Sequence, residues 1–301
     1  MKEADSIKNI MWAASKLAYS IVDGKLPPDY KTRMDYHYKN IQDNCYKMAE
    51  FIGDVYTYTG GVERIHAGLV GISKTGVIIA LRGTDGNDTE IGNFIDWANN
   101  FLAVQVPFAP FGQGNVHLGF LNAVLSIKDA IIEKTKELLW YAHSDGESPT
   151  VYITGHSKGG AMAALMAKIL KQQIRNEIRV ITFGAPRSGD SIFRQHYGLY
   201  HIRYESFLDI VPHLYFTEQE LELIPRLGPL YQILSPLLFL PAYAPVGSGI
   251  CIYKPKGNIE FLPWETDNPL EEKLNSFCGI NQVILNGNFE IFLEAHSDDY
   301  Y

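Results

Sequence analysis

Apolar residues recur at three- and four-residue steps near the start of the chain, where Ile7, Ile10, Ala14, Leu17 and Ile21 share one face. This spacing predicts an amphipathic helix over residues 4–22, capped by Asp5 or Ser6 and ended by Gly24, Pro27 and Pro28. The same period returns over residues 39–56 with Ile41, Cys45, Met48, Ile52 and Val55, and stops at Gly60 and Gly61. Both stripes read as faces packed against a sheet. The pattern then changes. Residues 65–73 and 76–81 predict two strands joined at Lys74 and Thr75, and Val77 to Leu81 lacks any polar alternation, as a strand covered on both faces does. A helix over 88–101 gathers Ile91, Phe94, Ile95, Ala98 and Phe101 on one face with Trp97 at its edge, and suits a core helix or a mobile lid. Residues 102–111 carry Pro107 and Pro110 and read as extended. A long helix over 119–141 places Phe120, Ala123, Ile127, Ile131 and Leu138 together. Strands follow at 151–154, 180–183 and 201–204, with helix formers at 161–170 and a hairpin of 249–253 with 258–261. Residues 280–294 mix apolar and polar positions before His296.

Strands alternating with helices predict an α/β sheet. No repeat and no Gly-, Ser- or charge-rich linker divides the chain, so residues 1–301 read as one domain, with 1–60 as a helical N-terminal part packed on it. The 301 residues, 46% of them hydrophobic, suffice for a large core. The net charge of −8, with no basic stripe to neutralise phosphates, excludes nucleic acid as a partner. Cys45, Cys251 and Cys278 are too scattered for a disulfide framework or a zinc site. The N-terminus lacks a basic region followed by a plain apolar run, which predicts a cytoplasmic protein or one exported without a classical signal peptide. The apolar stretch 227–246 contains Pro229, Pro236, Pro241 and Pro245, which would break a spanning helix, so it reads as a buried or interfacial loop.

The chemistry concentrates at Gly155-His156-Ser157-Lys158-Gly159. A strand enters this turn and a small-residue helix leaves it, the context of a nucleophile elbow. The turn demands residues almost free of side chain around the serine, and Gly155 and Gly159 supply them. It presents Ser157 above the sheet edge and aims the first helix amides, beginning with that of Lys158, at any oxyanion formed there. The Lys158 side chain reads as a cation on the helix surface, and His156 as a residue that packs or hydrogen-bonds beneath the elbow rather than acts as base. A serine needs a base, and the base needs an acid to orient it. With this elbow the chain order is Ser, acid, His. Only His196, His201, His213 and His296 follow Ser157, and His296 alone lies beyond every plausible acid. Asp209, among apolar neighbours after a strand, needs a partner to offset its burial, whereas Asp190 and Asp267 read as surface residues. Thr84, after Gly83 at a strand end, suits an amide-donating loop or an ordinary turn equally. Asp85 to Glu90 faintly matches a calcium loop, but Glu90 stands where that loop needs Gly, so no metal is expected.

Several short motifs in order resemble the class 3 lipases, the fungal triacylglycerol lipase-like group of α/β-hydrolases. They are Leu81-Arg82-Gly83-Thr84, Asp96-Trp97, Val116 to Phe120, Thr154 to Gly160, Thr182 to Arg187 and Asp209 to Pro212, resuming at Val246-Gly247, Ile250 to Tyr253, and His296 with Tyr300. The resemblance implies a mostly parallel central sheet flanked by helices, a Ser157, Asp209 and His296 triad, and Thr84 as an oxyanion donor beside Lys158 N–H. It also implies that Ile91, Phe94, Ile95, Trp97 and Phe101 belong to a lid. Lys158 departs from the leucine that many members carry after the nucleophile. The expected activity is hydrolysis of acyl-lipid esters without a cofactor, with contact at a lipid interface. Phospholipase A1 action, small-ester hydrolysis and a non-enzymatic lipase-like binding scaffold are the alternatives.

Overall fold

The computed structural model describes residues 2–28, 30, 51–84, 104–142, 149–209, 211–213, 215–218, 222, 241–253, 260–263 and 296. In chain order its elements begin with α1 (Lys2–Tyr19), β1 (Tyr56–Gly60), β2 (His66–Ser73), β3 (Gly76–Leu81), β4 (Gln105–Pro107) and β5 (Asn115–His117). They continue with α2 (Leu118–Leu125), α3 (Lys128–Ala142), β6 (Val151–His156), α4 (Lys158–Lys171), β7 (Ile178–Phe183) and α5 (Ser191–Gln195). The last are β8 (Tyr200–Ser206), β9 (Ser248–Tyr253) and β10 (Glu260–Pro263). The chain divides into two compact units. The first is Met1–Asp85, Phe120–Phe183 and Leu199–His201, and the second is Gly86–Gly119, Gly184–Gly198 and Ile202–Tyr301.

The first unit holds strands in the order β1-β2-β3-β6-β7. β1, β2 and β3 pair antiparallel, while β3, β6 and β7 run parallel with Leu81 opposite Gly155 and Gly155 opposite Thr182. Every residue of β3 and β6 is buried, as their unbroken apolar character requires. The parallel strands and intervening helices meet the expected α/β class. α1 lies on β6, where Thr154 Oγ1 donates to the Met11 carbonyl at 3.2 Å. Its expected stripe is buried from Ile10 to Ile21, and Trp12, Ala13 and Ala18 are buried as well. A helix enclosed on nearly all sides is a core element, not a surface one.

Two expected helices differ. Residues 51–56 are not helical: Phe51 bridges to Ser73, and Tyr56 begins β1 opposite Val70. The alternating Tyr56-Thr57-Tyr58-Thr59 prefers a strand, and Thr57 Oγ1 ties it to the Gly24 carbonyl. The N-terminal 60 residues are therefore not helical throughout. The helix expected over 119–141 is two helices. Ser126 Oγ donates back to the Ala123 carbonyl at 2.7 Å, and Ile127 N–H reaches only three residues back, to Val124, which tightens and ends α2. The break shifts the buried face of α3 to Ile131, Ile132, Thr135 and Leu139, leaving Leu138 half-buried.

In the second unit, β8 pairs parallel with β9, and β9 and β10 form the expected antiparallel hairpin. Asp190, expected at the surface, caps α5 instead. Its Oδ1 accepts from Phe193 N–H at 2.7 Å and its Oδ2 from both nitrogens of Asn115 at 2.9 Å. No helix among the described residues is long and apolar enough to cross a membrane. The helix expected over 88–101, with Ile91, Phe94, Ile95, Trp97 and Phe101, lies outside the described residues, as do residues 39–50, most of 227–246, Asp267 and residues 280–294.

Candidate active site

Ser157 joins β6 to α4 with φ 55° and ψ −132°. A non-glycine residue at positive φ is strained and needs its surroundings to hold it. Ser157 N–H donates to the Phe183 carbonyl at 2.9 Å, and the Ser157 carbonyl accepts from Gly160 N–H at 2.9 Å. Close backbone approach explains both flanking glycines. A Cβ at Gly155 would stand 2.3 Å from the Gly159 carbonyl oxygen, and one at Gly159 would stand 2.1 Å from the Leu81 carbonyl oxygen. The Ser157 side chain makes no cap hydrogen bond to the helix it precedes. The first amides of α4, Lys158 N–H among them, have no acceptor within the helix and carry its positive end.

A brace that no local sequence pattern announced lies under the elbow. His156 Nδ1 is hydrogen-bonded to the Tyr19 hydroxyl at 3.0 Å, and its ring meets the edge of Trp12 at 5.5 Å. The same hydroxyl occupies the space beside Gly83, where a Cβ would stand 2.0 Å from it. Tyr19 therefore touches both the residue before Thr84 and the residue before Ser157. Tyr19 lies 137 residues from His156, and its spacing in α1 gives no hint of the bond. Arg82, one step further back, donates to the carbonyls of Ile21 at 2.7 Å and Ile65 at 2.9 Å. Thr84 is half-buried.

The Lys158 side chain corrects the expectation of a surface cation: it is only 4% exposed. Every residue from Lys158 to Ala167 is buried, so the first turn of α4 has no solvent face for it. Burial, and then the neighbouring Arg82 guanidinium, push the ammonium down to about 8. His66, at the start of β2, is pushed down to about 4 by burial, then by Lys158 and by Arg82.

In the second unit Asp209 lies just beyond β8 and is 1% exposed. Its Oδ1 accepts from Val211 N–H at 2.9 Å, and its Oδ2 is 2.7 Å from His296 Nδ1. A carboxylate at Nδ1 fixes the ring orientation and leaves Nε2 to exchange a proton elsewhere. The other histidines after the elbow have structural settings. His201 Nε2 is 2.9 Å from Thr182 Oγ1 in the first unit. His196 ends α5 with Nδ1 at 2.9 Å from the Ile192 carbonyl. His213 is buried, and its carbonyl accepts from Arg187 at 3.1 Å.

Residues 78–219 match the model of the lipase (class 3) family, a span that includes Thr84, Ser157 and Asp209. Phospholipase A(1) DAD1 of Arabidopsis thaliana is 32% identical over 141 residues, covering 41% of this chain and 29% of that protein. A lipase of Rhizomucor miehei is 28% identical over 151 residues, covering 48% of this chain and 39% of that protein. The chain thus spans less than half the length of either relative. Among solved structures, a Rhizomucor miehei lipase propeptide complex is similar with a TM-score of 0.63 and 18% identity, covering 99% of this chain and 79% of that one. The fold is accordingly that of the α/β-hydrolase lipases, a mostly parallel central sheet flanked by helices.

Proposed function

We propose that this chain, whose residues 78–219 match the model of the lipase (class 3) family, is a serine hydrolase of carboxylic esters in acyl lipids, with Ser157 as nucleophile. The observation that carries the reading is the Ser157 backbone, held at φ 55° between β6 and α4. Strain of this kind is retained where it positions a reacting group. His296 serves as the base, and Asp209 orients it and stabilises the imidazolium. His296 Nε2 takes the hydroxyl proton while Ser157 Oγ bonds to the ester carbonyl carbon. The amides of Thr84 and Lys158 hold the oxyanion, and loss of one such donor raises the barrier by about 3 kcal/mol. The tetrahedral intermediate collapses, its bond to the leaving alcohol breaks, and His296 gives that alcohol the proton. Water, activated by the same base, then frees the acid from Ser157.

Acylglycerols are the preferred substrate class in this reading, with residues 88–101 as the lid. Exposing about 300 Å² of apolar lid costs roughly 7 kcal/mol in water, and a lipid surface offsets that cost. Emulsified esters are therefore expected to be cleaved faster than short soluble ones, and equal rates would remove the lid from the account. A phospholipase A1 activity is the second reading, favoured by the similarity to the Arabidopsis thaliana protein. Comparing initial rates on phospholipid and triglyceride separates the two. The primary test is labelling by a fluorophosphonate probe. Wild type is expected to label and Ser157→Ala is not; an unlabelled wild type would point to a binding scaffold instead.

A further inference from the structure

Three nitrogen-bearing side chains of the first unit stand on adjoining backbone: Arg82 N–H donates to the carbonyl of Ala67, next to His66, at 2.9 Å, and a Cβ at Gly159, next to Lys158, would stand 2.9 Å from the Arg82 carbonyl carbon. Lys158 is 4% and Arg82 9% exposed. Arg82 commits its terminal nitrogens to the carbonyls of Ile21 and Ile65, but its Nε is buried with no hydrogen-bond partner. His66 Nδ1 is buried without a partner as well. The groups sense one another: Arg82 depresses protonation of Lys158, and both depress protonation of His66. The positive end of α4 adds to the same field. Among the described residues, no carboxylate pairs with any of the three. Buried like charges persist when something of opposite sign is paired with them. Nothing in the reading of Ser157 as nucleophile uses these side chains.

We propose that a small monovalent anion, a halide or a carboxylate head of similar size, binds between Lys158, Arg82 and His66. Arg82 Nε–H and the Lys158 ammonium donate to it, and His66 Nδ1 is the third donor in the tautomer that carries its proton there. His66, the least buried of the three, marks the side from which the anion enters. The bound anion relieves the repulsion between Lys158 and Arg82. It ties the segment before Gly83 and Thr84 to the first turn after Ser157. The site is built within the first unit alone, so it stands or falls separately from the hydrolase reading.

Crystals of the full chain soaked in sodium bromide are expected to show an anomalous peak between the three side chains. In solution, thermal unfolding at matched ionic strength compares bromide and acetate with gluconate, which is too large for the site. Tm is expected to climb with bromide or acetate concentration, as linkage to a bound ligand requires. Lys158→Leu and Lys158→Met should abolish that climb, and should melt higher than wild type in gluconate. The two apolar variants guard against a failure to fold in either one, and the bromide soak needs no variant. Absence of the peak together with a Tm indifferent to the anion would overturn the proposal. A climb equal in wild type and both variants would overturn it too.

Discussion

Asp209 commits one oxygen to Val211 N–H and the other to His296 Nδ1, and two substitutions separate these contacts. Asp209→Asn retains an acceptor for Val211 N–H but turns the other position into a donor, which disfavours the tautomer needed for a base. Turnover is expected to fall by about 10⁴-fold, as when the acid of such a triad is neutralised, while the urea midpoint stays near that of wild type. Asp209→Ala also strands the Val211 amide and should cost about 1–3 kcal/mol more in stability. Ester turnover and urea unfolding on the same two variants check both claims. Asp209 was legible because Phe207, Leu208 and Ile210 surround it, and a carboxylate among such neighbours needs a partner. Lys158 and Asp190 were misread by the converse rule. Polar company in the chain says little about burial when a different element packs over the residue. Tyr19 was missed because a phenol in a helical stripe looks the same whether its hydroxyl meets water or His156.

Local pattern predicted β3 and β6 well, since a strand buried on both faces must be apolar along its length. It failed where one residue changes the phase of a helix. Ser126 returns its hydroxyl to the Ala123 carbonyl, and the turn at Ile127 rotates everything after it. Leu139 rather than Leu138 consequently faces the core: Leu139 is 4% exposed. Leu139→Ala is expected to cost about 2–5 kcal/mol by the usual measure of a buried leucine. Leu138→Ala should cost distinctly less, and denaturant unfolding of the pair decides between the continuous and the broken helix. The helical expectation for 51–56 arises because Ile52 and Val55 continue a helical spacing up to Tyr56, where tyrosines and threonines that prefer extended backbone begin β1.

Stability of the whole molecule carries the signature of Lys158. Its ammonium titrates near 8 in the folded chain against 10.5 ordinarily. Below about pH 8 both folded and unfolded chains hold the proton, and the burial penalty is fully present. Between there and 10.5 the unfolded chain binds more protons than the folded one, so stability rises with pH. The rise attributable to this group is at most about 3 kcal/mol, at roughly 1.4 kcal/mol per unit. Urea midpoints measured in gluconate across that range should climb in wild type relative to Lys158→Met, and bromide should flatten the difference. What the sequence determined by itself was whatever depends on near neighbours: the elbow and the buried parallel strands. Each follows from steric and solvation demands acting within a few residues. Tertiary structure alone decided which polar groups are buried and which distant partners they meet: Lys158 and Arg82 enclosed, Tyr19 against His156, Asp190 against Asn115. Burial is set by which distant segments pack together, and the free energy of a charge or a hydroxyl depends on that enclosure.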